Sequence, residues 1–116
     1  MEPVFDRKGT VVAWINGRNI YDLRGRHLAI INGGNVYGHR GQHLGVFRNG
    51  FFRDRRGDAV AFQLGATGGP VPPVPSVPPV PPVPSVPPVA AVPSVPPVPA
   101  VPSLAWGREW DVFITG

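Results

Sequence analysis

Lys8, Arg24, Arg40 and Arg56 stand sixteen residues apart, each directly before a glycine (Gly9, Gly25, Gly41, Gly57). Four cations at matching positions of a repeat suit one kind of chemistry, charge recognition. Brought to one side of a symmetric fold, they form a ring whose summed field would hold a phosphate-rich or other polyanionic ligand. The competing reading is that exposed turns take long solvated side chains, and repeated turns repeat the habit. Phe5, Tyr21 and Tyr37 share one repeat position and offer faces on which single-stranded nucleic acid stacks. Strand alternation equally places them on the covered side of a sheet.

Other chemistry has less to work with. His27 and His43 share a repeat position, and His39 stands alone in a turn. Two equivalent histidines share a metal only if their position lies near a common axis, and no cysteine or carboxylate joins them. Satisfied or exposed histidines are the expectation, with no metal and no cofactor. The first 66 residues hold no serine or cysteine and a single glutamate, Glu2; Asp6, Asp22 and Asp54 are accounted for as turn residues. No nucleophile with a partnered base emerges, so the expectation is a protein that is not an enzyme. The glycines are spaced for hairpins rather than for a phosphate-cradling loop.

The elements that must position these residues follow from the repeat itself. FDRKG, YDLRG, YGHRG and RDRRG begin at Phe5, Tyr21, Tyr37 and Arg53, with their glycines in register. Asp followed three residues later by Gly fits a tight turn whose last residue needs positive φ. Asn16-Gly17, Asn32-Gly33 and Asn49-Gly50 mark a second set of turns, of the type that joins two strands of a hairpin. Each repeat thus contributes two strands of about five residues, and four repeats give eight short antiparallel strands in an all-β meander. Val12/Trp14, Leu28/Ile30, Leu44/Val46 and Val60/Phe62 are expected in the core, with Val4, Ile20, Val36 and Phe52. The small residues between those pairs, Ala13, Ala29, Gly45 and Ala61, predict close backbone approach around a pseudo-four-fold axis.

The phrases IYDLRGRHLAIINGG and VYGHRGQHLGVFRNGFFRDRRGDAVAF resemble the small bacterial four-fold beta-flower domain over about residues 3–64. The resemblance implies four repeats radiating around a pseudo-four-fold axis, a proline-rich linker and a short Trp-containing tail, and it implies no activity. Two departures mark the symmetry as imperfect: the turn Asp is Gly38 in the third copy, and the aromatic is Arg53 in the fourth.

The 116 residues divide sharply. Residues 1–66 read as the β domain, 67–103 as a Gly/Val/Pro-rich linker and 104–116 as an aromatic docking segment. Residues 1–70 carry ten Lys/Arg against five Asp/Glu, a balance of +5, which favours anionic partners or a tail that returns to its own head. A head of about 66 residues buries only ~60% of its surface, so its core needs support from symmetry, self-association or a docked tail. Without cysteine, disulfides cannot supply it. No apolar signal core and no run of eighteen apolar residues occur, so the expected compartment is the cytoplasm.

From Val71 to Ser103 every third residue is valine. Polyproline II has three residues per turn, which puts the valines on one edge. Fully extended, the segment reaches ~100 Å, against a radius of gyration of ~11 Å for the head. It reads as a stiff uncharged spacer, with proline-recognising domains as the alternative occupant. Beyond it Trp106, Trp110, Phe113 and Ile114 fall on one helical face. They dock either on the chain's own head or on another molecule. The expected function is a non-catalytic interaction module, head and aromatic docking peptide joined by a stiff arm; the alternative is a polyanion or nucleic-acid binder using the basic ring.

Overall fold

The computed structural model describes residues 1–116. Eight strands follow in order: β1 (Glu2–Asp6), β2 (Val11–Asn16), β3 (Asn19–Tyr21), β4 (His27–Asn32), β5 (Asn35–Tyr37), β6 (His43–Arg48), β7 (Phe51–Arg53) and β8 (Ala59–Phe62), and one short helix, α1 (Trp110–Thr115), ends the chain. Each strand pairs antiparallel with the next, and β8 returns to β1 through Phe5↔Phe62 and Asp6↔Ala61, closing the sheet on itself. Closure leaves no unpaired edge for another chain to extend.

Two kinds of turn alternate around the ring. At the Asp-x-x-Gly turns, Gly9, Gly25, Gly41 and Gly57 take φ between 78° and 87°, a region costly for any residue with a Cβ. Asp6 Oδ1 accepts from the amides of Lys8 and Thr10; Asp22 and Asp54 accept likewise. The third copy keeps the turn by exchange: Gln42 Oε1 accepts from the Arg40 amide at 3.0 Å. A Cβ at position 38 would overlap that Gln42 amide group, so Gly38 and Gln42 belong together.

The core expectation holds in part. Val4, Ile20, Val36 and Phe52 are fully buried with Ala13, Ala29 and Ala61. Each small residue pairs across the ladder with one of them: Val4↔Ala13, Ile20↔Ala29, Val36↔Gly45, Phe52↔Ala61. Close approach is plain at Gly45, where a Cβ would overlap the Arg53 carbonyl oxygen and sit 2.7 Å from Phe113. Trp14, Leu44, Val60 and Phe62 are buried, whereas Val12, Leu28, Ile30 and Val46 are only half-buried. Leu44 and Val60 share their cluster with Trp110 and Phe113 of the tail and Phe62 meets Trp106, whereas Trp14 is buried with Phe5 and Phe51 in a second cluster.

The spacer expectation does not hold. The whole chain spans 37 × 36 × 20 Å, so the arm does not project. Residues 71–103 form no helix or strand and instead run round the rim of the disc. Four amides fasten them there: Ser76, Ser85, Ser94 and Ser103 donate to the carbonyls of Gly9, Gly25, Gly41 and Gly57 at 2.8–3.0 Å. The arm lies so close that a Cβ on any of these glycines would overlap a valine carbonyl, of Val74, Val83, Val92 and Val101 in turn. Val-Pro-Ser recurs every nine residues while the head repeats every sixteen, and the two periods meet at the four corners. Their lengths agree: nine extended residues at ~3.1 Å span ~28 Å, and a quarter of the rim of a disc 37 × 36 Å across is also about 28 Å. The physical reason for wrapping is therefore a matched contour plus a fixed donor at each corner, which a featureless spacer would lack.

The tail also stays on its own head. Trp110, Phe113 and Ile114 join the main core cluster, with Trp110 and Phe113 edge-on to Phe52. Trp106 is half-buried against Phe51 and Phe62, and its segment bridges Ala59 in parallel, Ala59 N–H to Ala105 O and Gly107 N–H to Ala59 O. Of the two docks open to the tail, its own head or another molecule, the structure has it on its own head, where a marginal core gains from burying the aromatic rings.

Candidate functional site

The four cations of the repeat sit where their turns put them. Lys8, Arg24, Arg40 and Arg56 are all exposed, at the four corners where the arm crosses the turn. Neither of the chain's ion pairs, Arg7–Glu109 and Arg108–Asp54, uses any of them. Adjacent corners are a quarter of the rim apart, on the order of 25 Å, against a Debye length of about 8 Å at physiological salt. The four therefore act as four separate charges. They do not converge on one small anion.

The histidines occupy clefts between repeats. His27 Nε2 lies 2.9 Å from Asn19 Oδ1 and its Nδ1 lies 2.9 Å from His39 Nε2. With Asn19 accepting, the Nε2 of His27 carries the proton, so its Nδ1 accepts and His39 donates. The two rings are within 11° of parallel with centroids 5.1 Å apart; combined with the short nitrogen contact, this is an end-to-end hydrogen bond rather than a face-to-face stack. Burial, and then the neighbouring His39, hold His27 below the ordinary imidazole range. Arg18, Asn19, Tyr37 and the arm residues Pro88 to Ala91 line a cavity of about 70 Å³ beside this pair. That is room for about two waters, far from the ~300 Å³ of a small-molecule site. Val89-Ala90-Ala91 is the one tripeptide of the arm without proline, and it lies over this cavity.

One repeat later the pattern changes. His43 Nε2 meets Asn35 Oδ1 at 2.9 Å, but its Nδ1 is buried with no partner, because Arg55 stands at the repeat position of His39. Burial, with a smaller push from the Arg55 charge, lowers His43 as well. No three His, Cys, Asp or Glu side chains come together as metal ligands would. The His27–His39 pair can hold and exchange one proton between imidazoles, whereas His43 stands alone in its cleft.

Arg53 is the departure that the fold explains best. It is 4% exposed, and its guanidinium donates to Gly57 O at 2.7 Å, Ser103 O at 2.8 Å and Gly68 O at 2.9 Å. It lies over the Phe51 ring at 5.6 Å. Burial lowers its pKa, opposed by Asp58 and Asp54. Gly68 and Ser103 flank the start and the end of the arm, so one side chain clasps the strap at both ends. Arg7 completes the seam, donating to Gly107 O at 2.6 Å and pairing with Glu109 at 3.0 Å.

Four hairpin repeats, a closed ring, a strap of Val-Pro-Ser units and a tryptophan tail make one unit, and the model of the 4-fold beta flower family matches residues 2–114, arm and tail included. The chain belongs to the 4-fold beta flower family. No curated protein and no solved structure matches it. Sequence reasoning missed four sets of contacts that hold this flower together: the corner serines, the Arg53 clasp, Asn19 and Asn35. The signal for the serines was present as the nine-residue recurrence of Val-Pro-Ser. For Arg53 it was the break in an otherwise aromatic position. The flower has no helix long and apolar enough to cross a membrane.

Proposed function

We propose that this beta flower is a non-catalytic interaction module in which the head is a rigid frame and the arm is the surface it presents. One observation carries the reading. Eleven valines, Val71 to Val101 at every third residue, are each between 85% and 98% exposed. Soluble monomers rarely leave contiguous apolar surface uncovered, and large exposed patches mark sites of association. Here the arm is pinned by its serine amides at four corners, so its valine edge faces outward in one fixed arrangement. Pinning removes much of the ordering cost that a loose proline-rich segment would carry into a complex. The aromatic anchors of the tail are engaged internally, and the recruiting surface is accordingly the arm.

The test compares the parent chain with a variant whose eleven arm valines are serine, both as immobilised full-length protein in native extract. Proteins retained by the parent and lost by the variant support the module. Identical retained sets from two equally stable proteins overturn it.

The second reading, a binder of polyanions, is favoured by the four corner cations that make no ion pair. Their separation directs it to a long ligand such as single-stranded nucleic acid running along the rim, rather than to a compact phosphate. Its affinity would fall steeply as salt rises from 50 to 200 mM. Absence of binding to a mixed-sequence oligonucleotide at low salt would remove this reading.

A further inference from the structure

The arm carries no charge, yet each stretch of it that crosses a corner lies on the glycine that directly follows a cation. Val74-Pro75 passes over Gly9, next to Lys8; Val83-Pro84 over Gly25, next to Arg24; Val92-Pro93 over Gly41, next to Arg40; Val101-Pro102 over Gly57, next to Arg56. The four valines are 85–90% exposed, and three of the four prolines are exposed, Pro84 being half-buried. The four cations are exposed and make no ion pair. Proline-recognition domains bind extended segments by taking hydrophobic-Pro units between aromatic rings, and a charged residue beside the segment fixes the direction.

We infer that each corner of the disc is a composite ligand for a proline-recognition domain whose groove is lined by aromatic rings and flanked by carboxylates. The arm supplies the Val-Pro unit and the head supplies the cation. This rests on the interaction reading above and names its partner class. Charge complementarity selects the acidic flank, since the chain's net charge is +4 and every corner cation is free. A second copy of the chain does not fit the role: it has the same sign of charge, Trp14, Tyr21, Tyr37 and Trp110 are all at most 7% exposed, and the half-buried Trp106 is packed against its own Phe51 and Phe62, so no groove lined by several free rings is left. Four equivalent corners on one rigid disc also make the ligand multivalent. A partner with two such domains in tandem gains avidity without any new contact, provided its linker spans a quarter of the rim.

The experiment titrates the full-length protein with a purified proline-recognition domain that has a tyrosine- and tryptophan-lined groove and an acidic flank, followed by calorimetry. Two variants are compared with the parent: Val74→Ser, Val83→Ser, Val92→Ser and Val101→Ser together, and Lys8→Ala, Arg24→Ala, Arg40→Ala and Arg56→Ala together. Thermal unfolding checks that each variant keeps the fold, as expected for side chains that face water. The valine variant should weaken binding by about 10-fold or more. The cation variant should weaken it roughly 2- to 5-fold per corner and flatten its salt dependence. Neutralising the probe's acidic flank should match the cation variant. No binding by the parent, or equal binding by parent and valine variant, overturns the inference. If the probe fails while native-extract partners still require the arm valines, the partner class alone is wrong; if both fail, the interaction reading falls with it.

Discussion

His43 donates its Nε2 proton to Asn35 and leaves Nδ1 buried without a donor, while His27 in the preceding cleft has His39 for that purpose. The two clefts differ at one repeat position, His39 against Arg55. Arg55→His should therefore give His43 a donor and stabilise the protein by about 1 kcal/mol, measured by urea unfolding. Both histidines have folded pKa values below their unfolded value. A depressed base binds protons more readily in the unfolded chain, so its stabilising contribution is complete above the ordinary imidazole value of 6.5 and is lost as pH falls below it. Melting temperature should hold steady from pH 8 to 7 and decline from about 6.5 downward, and His27→Asn with His43→Asn should flatten that decline. Arg53→Tyr restores the aromatic of the other repeats but leaves the carbonyls of Gly57, Ser103 and Gly68 without their donor. It should cost about 3 kcal/mol or more, seen as a lower denaturation midpoint.

The elements are two chains of different period laid on each other. The β-repeat advances sixteen residues per quarter turn and the arm nine, because a hairpin doubles back and an extended segment does not. Valine periodicity alone would survive any change in multiples of three residues; docking needs nine residues from each corner to the next. Deleting Val77–Pro79 keeps every valine on its edge yet shortens the step from Ser76 to Ser85. It should release one corner amide, so that hydrogen exchange at the Ser85 amide rises while the hairpin amides of β1 to β4 stay protected. Unchanged protection at Ser85 would show that the corner bonds do not set the register. The strands and both sets of turns were readable from Asp, Gly and Asn-Gly spacing because those residues act locally, through φ and through their own side chains. Gly38 with Gln42 shows the limit, since a side chain on the far side of the turn takes over the missing Asp.

The whole molecule is a ring closed three times: by β8 on β1, by the arm around the rim, and by the tail across the core. Trp110 is 7% exposed among Phe52 and Phe113, and Trp110→Ala should destabilise by about 3–5 kcal/mol. Because the tail packs on both core clusters of the head, Trp110, Phe113 and Ile114 on one and Trp106 on the other, far-ultraviolet circular dichroism and tryptophan fluorescence should report one shared transition at a lower temperature. Two separate transitions would mean that the tail is an independent unit. Legible in the chain alone were the four repeats, the turn chemistry, the eight strands, the neutral three-residue arm and the aromatic face of the tail, all set by interactions between residues close in sequence. The route of the arm, the burial of the tail and the scattering of the four cations to separate corners belonged to the folded state. Each depends on groups 40 to 100 residues apart, such as Arg53 with Ser103 and Arg7 with Gly107, and on a rim whose length exists only once the ring has closed.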